Sequence, residues 1–70
     1  MNNDEGAKRA RAAAAMEHGL EPGDFVRHPR EPDWGLGQVQ SVVGANVTVN
    51  FEDRGKVMIN TTVVSLVLAR

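Results

Sequence analysis

The stretch Pro22-Gly23-Asp24-Phe25-Val26-Arg27-His28-Pro29, followed by Asp33-Trp34-Gly35-Leu36-Gly37-Gln38-Val39, decides the fold. It has the pattern of a short strand, a proline-bounded loop and a glycine-bracketed turn into a second strand. Glu21-Pro22-Gly23-Asp24 is the turn that leads in. In the first strand, residues 25–28, Val26 faces the core and Arg27 faces out, while Phe25 is assigned to neither face. Pro29 and Pro32 have no backbone N–H to give to a ladder, so residues 29–33 read as a loop. The second strand covers residues 36–43, with Gln38 and Gln40 on a solvated face and Val39 between them.

Downstream the chain reads as more strand. Gly44-Ala45-Asn46 is a tight hairpin connection. Val47-Thr48-Val49-Asn50-Phe51 is a strand with valines and phenylalanine on one face and Thr48 and Asn50 on the other. Glu52-Asp53-Arg54-Gly55 turns the chain again. Lys56-Val57-Met58-Ile59-Asn60 is a fourth strand with Val57 and Ile59 inward, or with Met58 inward in their place. Thr61-Thr62-Val63 suits a single helical turn, and Ser65-Leu66-Val67-Leu68 a short last strand. Five short strands with no room for crossover helices make an antiparallel sheet. With so few residues that sheet has to curl on itself, and a small five-stranded SH3-like or Tudor-like barrel is the economical answer, its last strand returning beside the first.

Upstream, residues 1–20 differ from the rest. Ala7-Lys8-Arg9-Ala10-Arg11-Ala12-Ala13-Ala14-Ala15-Met16 has high helix propensity. A stripe of alanines buries little area, however, and a helix of about a dozen residues is marginal alone in water. The expected organisation is a tail over residues 1–20, disordered or marginally helical, and a barrel over residues 21–70.

The composition removes several function classes. Seventy residues with no cysteine leave no disulfide framework and no thiolate metal site. His18 and His28 lie in different segments and make no metal site by themselves. No nucleophile–base pair, metal set or phosphate-binding loop is evident, so neither an enzyme nor a cofactor is expected: Gly35-x-Gly37 lacks the helix and lysine that a phosphate loop needs, and fits backbone geometry instead. His28 reads as a strand-end histidine bonded to its loop. The net charge is −1, spread evenly along the chain, and a polar, acidic start without a basic-then-apolar leader points to a cytoplasmic protein.

What remains is binding. Gly23-Asp24-x-Val26-x-His28-Pro29, an aromatic, Gly35-x-Gly37-x-Val39, a strand ending in Phe51 and then Gly55-Lys56 resembles the Tudor-like domain at the C-terminus of UvrD-type bacterial helicases. The same pattern is similar to the N-terminal RNA-polymerase-interacting domain of the CarD and transcription-repair-coupling-factor group. The Pro-Asp-Trp-Gly-x-Gly-Gln-Val-Gln-Ser-Val core and the Val-Asn-Phe strand are also those of a small bacterial family of uncharacterised single-domain proteins. The resemblance implies an SH3-like fold and a protein partner, RNA polymerase or a transcription or repair factor, docked by an exposed strand. Relative to the helicase pattern, Arg30-Glu31-Pro32-Asp33 is extra. The candidate contact residues are Trp34, Arg27, Arg30, Gln38, Gln40, Thr48 and Asn50. Trp34 has a second reading, as the plug of one barrel end. The alternative partner is nucleic acid, met by Arg27, Arg30, Arg54 and Lys56 with Lys8, Arg9 and Arg11 of the tail; a further alternative is self-association.

Overall fold

A computed structural model describes residues 18–69. The expected tail up to residue 17, with Lys8, Arg9 and Arg11, lies outside the described residues. The chain forms β1 (Phe25–Arg27), a 3₁₀ turn (Pro32–Trp34), β2 (Leu36–Val43), β3 (Asn46–Phe51), β4 (Gly55–Asn60) and β5 (Val67–Leu68). All pairings are antiparallel, in one sheet of order β4-β3-β2-β1-β5.

The alternation in each strand sets which face is buried. Val26, Val39, Val47, Val49, Phe51 and Ile59 are at most 5 % exposed, all on the inner face. Between Val39 and Ser41 the register slips. That bulge inserts Gln40 as an extra residue and changes which parity points inward. Val39 therefore faces Val49 across the pair, while Val42 rather than Ser41 faces Val47. On β4 the register resolves to Val57 and Ile59 inward, leaving Met58 68 % exposed.

No second layer stands behind this face among the described residues. Its cover comes from Leu20, Trp34, Val64 and Leu66 and from the curl of the sheet itself. Leu20, which the sequence reading left in the tail, is 3 % exposed and belongs to the core. His18 holds this approach in place: its Nε2 donates to the Gly44 carbonyl at 3.1 Å, and its Nδ1 accepts from the Leu20 N–H at 3.0 Å.

Two expectations change. The sheet does not close into a hydrogen-bonded barrel, because β4 and β5 stay at its two ends. β5 is two residues long rather than four: it pairs only through Val26↔Leu68 and Arg27↔Val67, and Ser65 and Leu66 remain outside the ladder. The segment before it makes the single helical turn expected there, with the Val63 and Val64 N–H groups both donating to the Asn60 carbonyl. The loop after β1 carries the 3₁₀ turn, which Pro32 begins with its fixed φ and which brings Trp34 over the open end of the core.

Gly35 and Gly37 serve backbone geometry. Gly35 has φ +74, and its N–H closes the 3₁₀ turn on the Pro32 carbonyl. Gly37 is extended, but a Cβ there would lie 2.6 Å from the Phe51 ring and from a Val49 methyl. Phe51 packs into that space, and Trp34 packs on Phe51 with ring centroids 5.2 Å apart.

Two substitutions test this core. Gly37→Ala pushes a methyl into the Phe51 ring, and its cost is expected at about 1–3 kcal/mol, read as a lower urea midpoint. Trp34→Ala leaves the end of the core uncovered. It is expected to cost about 2–4 kcal/mol, somewhat below the loss of a fully buried aromatic because Trp34 is half-buried. A midpoint unmoved by Trp34→Ala assigns the ring to the surface instead.

Candidate protein-docking surface

The outer face of the sheet follows from the register. Phe25↔Gln38, Gln38↔Asn50 and Asn50↔Lys56 are directly opposite, so these four side chains form one row across β1, β2, β3 and β4. A second row sets Leu36 opposite Arg27, with Val67 on the far side of Arg27. A third runs Ser41, Thr48, Met58.

One apolar part of this face lies at the β5–β1–β2 end, where Phe25 is 46 % exposed and Val67, beyond Arg27, is 53 % exposed. Leu68, opposite Val26, lies at the rim of the other face and is 40 % exposed. Leu36 is diagonal to Phe25 across the β1–β2 pair, within reach of an aromatic side chain. Two open grooves flank them. One is lined by Phe25, Arg27, Leu36, Leu68 and Ala69. The other is lined by Phe25, Leu36, Gly37, Gln38, Asn50 and Glu52. Phe25 and Leu36 belong to both and so form the ridge between them.

The predicted contact residues divide between this face and another region. Arg27, Gln38 and Asn50 meet on the face beside Phe25, and Thr48 sits further along it, half-buried. Gln40 is exposed in the bulge. Trp34 and Arg30 belong to the loop end. There His28 is 7 % exposed, its Nδ1 accepts the Arg30 N–H at 3.1 Å, and its ring meets Trp34 edge-on at 4.9 Å. This is the loop-bonded histidine that the sequence suggested. The Arg54 guanidinium carbon lies 5.5 Å from the Trp34 ring centroid, a cation–π distance. One face of the indole is thus occupied by the protein's own cation.

Among the described residues the cations form no single patch. Arg27 and Lys56 stand on β1 and β4 with β2 and β3 between them. Arg54 is on Trp34, and Glu52 and Asp53 share its turn. No group of three or more His, Cys, Asp or Glu able to hold a metal ion occurs among the described residues. No helix there is long and apolar enough to cross a membrane.

Sequence reasoning left out the residues at the centre of this surface, Phe25 and Leu36. The signal was available for Phe25. Strand alternation with Val26 inward places Phe25 outward, beside Gln38 rather than among the valines. For Leu36 the position next to a glycine-bracketed turn concealed which face it takes.

No curated protein and no solved structure matches the chain. The family model described as "Protein of unknown function (DUF3553)" matches residues 20–69, which is the curled sheet from Leu20 to the end of β5, and the chain belongs to that family.

Proposed function

We propose that this chain is a non-enzymatic binding module of the SH3-like or Tudor-like kind, and that it docks on RNA polymerase or on a transcription or repair factor associated with it. The observation that carries the binding role is Phe25: an aromatic side chain 46 % exposed, on a ridge between two grooves. A small domain short of apolar area gains nothing in stability from leaving such a ring in water. Aromatic residues dominate the energetics of many interfaces when they fill a partner's pocket. Arg27, Gln38 and Asn50 then supply the polar rim around it.

The choice of partner rests on the resemblance of residues 22–68 to the polymerase-interacting and helicase C-terminal domains. The place of β5 beside β1 is the connectivity expected of a small SH3-like barrel and supports the fold half of this reading. The non-enzymatic reading is supported by the use of both histidines in backbone hydrogen bonds. The nucleic-acid alternative has less support from the described residues, where the cations are dispersed among carboxylates.

The test is retention of purified bacterial RNA polymerase on the immobilised full-length chain. Retention is expected, and Phe25→Ala is expected to weaken it at least tenfold while the unfolding free energy from urea titration changes by less than about 0.5 kcal/mol, as for an exposed side chain. Absence of retention, or retention unaffected by Phe25→Ala, removes this reading.

A further inference from the structure

The far end of the sheet carries a second recognition element. β4 is a six-residue edge strand, and among the described residues nothing pairs with its outer side. Its backbone polarity can be derived. The Thr61 N–H donates to the Ala45 carbonyl at 2.9 Å. Ala45 and Thr61 are the next positions beyond the Asn46↔Asn60 pair. Antiparallel pairs alternate between hydrogen-bonded and non-hydrogen-bonded. Val47↔Ile59 and Val49↔Val57 are therefore bonded pairs, and Thr48↔Met58 and Asn50↔Lys56 are not. The two-residue Gly44-Ala45 loop gives the same phase, because it makes Val43↔Asn46 a bonded pair. So Lys56, Met58 and Asn60 aim their N–H and C=O groups away from β3, at the open edge.

We infer that this edge takes a second copy of the chain, by antiparallel pairing of β4 with β4 about a two-fold axis at Val57. Three central registers keep the bonding phase. One sets Lys56 opposite Lys56, like charge against like charge. One sets Met58 opposite Met58 and Lys56 opposite Asn60, which calls on an Asn60 carbonyl that already accepts from Val63 and Val64 at 3.0 Å each. The third sets Lys56 opposite Met58 of the second copy, and its central bonds use the backbone groups of these two residues alone.

The side chains favour the same register. Val57, half-buried at the margin of the core, comes opposite Val57 of the copy in a non-hydrogen-bonded pair, where side chains are closest. Met58, 68 % exposed, is covered by the aliphatic stem of Lys56, whose ammonium stays in solvent on the outer face. The acidic turn Glu52-Asp53 meets Thr62 and Thr61 of the copy, hydroxyls rather than carboxylates. A lysine on an edge strand ordinarily guards it against pairing; in this register the guard stands opposite an uncharged residue and no repulsion results. The pairing leaves the Phe25 surface free, at the opposite end of the sheet order.

The experiment is sedimentation equilibrium of the full chain over a wide concentration range, with two kinds of variant. The wild-type mass is expected to rise to that of a dimer. Met58→Lys sets the introduced lysine opposite Lys56 of the copy and is expected to weaken the dimer at least tenfold with an unchanged circular dichroism spectrum, since the side chain is exposed. In this cysteine-free chain, Val57→Cys is expected to cross-link the dimer under mild oxidation and Met58→Cys is not, because only residue 57 faces itself. A wild-type mass that stays monomeric overturns the proposal. So does a dimer unmoved by Met58→Lys, or one that cross-links through Met58→Cys instead of Val57→Cys.

Discussion

The Phe51 ring lies against the backbone of Gly37, in space that any side chain on Gly37 would fill. That contact follows from a constraint of size. A chain with about fifty residues in its domain cannot build two layers, so one sheet has to cover its own inner face. Curling brings the strands' inner faces together, and a large ring fits there only if a neighbouring position is empty. Gly37↔Phe51 is a directly opposed pair, and the chain meets the requirement with the smallest residue beside the largest core side chain. Trp34 and His28 then stack beyond Phe51, and the 3₁₀ turn exists to put Trp34 there. Among the described residues seven apolar side chains are buried, and each contributes on the order of 1.5–3 kcal/mol. The loss of any one is therefore a large fraction of the stability of a small domain.

An open sheet has consequences that a closed barrel does not. Its two edges carry unpaired backbone groups, and the chain treats them differently. β5 is short, with two residues in the ladder, and the neighbouring Ala69 N–H returns to the Phe25 carbonyl. A strand that short offers little template for pairing. β4 is three times as long, has one charge and a large exposed thioether, and has no cover among the described residues. The exposed apolar groups are likewise unevenly placed, with Phe25, Val67 and Leu68 at the β5 end, Met58 and Val63 at the β4 end, and Val43 alone at the tip of β2. Neither group adds to the core, and the middle of the outer face between them holds Gln38, Asn50, Ser41 and Thr48.

The strands were legible in the sequence where a period of two was unbroken. Val47, Val49 and Phe51 declare their own face, and Pro29 and Gly44 mark where pairing stops. The Gln40 bulge is the kind of feature that single-sequence reading misses, because a run such as Gln-Ser-Val-Val is compatible with either parity until a partner strand fixes it. The length of β5 was misjudged for a related reason. Ser65-Leu66-Val67-Leu68 has strand propensity throughout, but only residues opposite Val26 and Arg27 have anything to pair with, since β1 itself is three residues long. The barrel closure failed with it. For the surface, composition drew the eye to the single tryptophan, and tertiary packing turned that ring toward the core. Phe25 was missed although Val26 inward already turns it outward, because a three-residue strand shows only one alternation.

Where Trp34 sits also decides how a borrowed function transfers. In the sequence, the loop carrying Arg30-Glu31-Pro32-Asp33 is where a departure from the helicase pattern is expected, and it is natural to look there for a distinct specificity. The structure gives that loop a local task instead. Pro32 starts the 3₁₀ turn, the Trp34 N–H donates to the Glu31 carbonyl, and the Asp53 N–H donates to the Trp34 carbonyl at 3.0 Å, which ties the loop to the β3–β4 turn. Arg54 then lies over the exposed side of the indole. A partner reaching for Trp34 would have to displace that cation and disturb the cover of the core. A partner reaching for Phe25 displaces only water. The proposed binding at Phe25 therefore requires no change in the fold, and the Arg30–Asp33 loop stands apart from the outer face of β1 and β2.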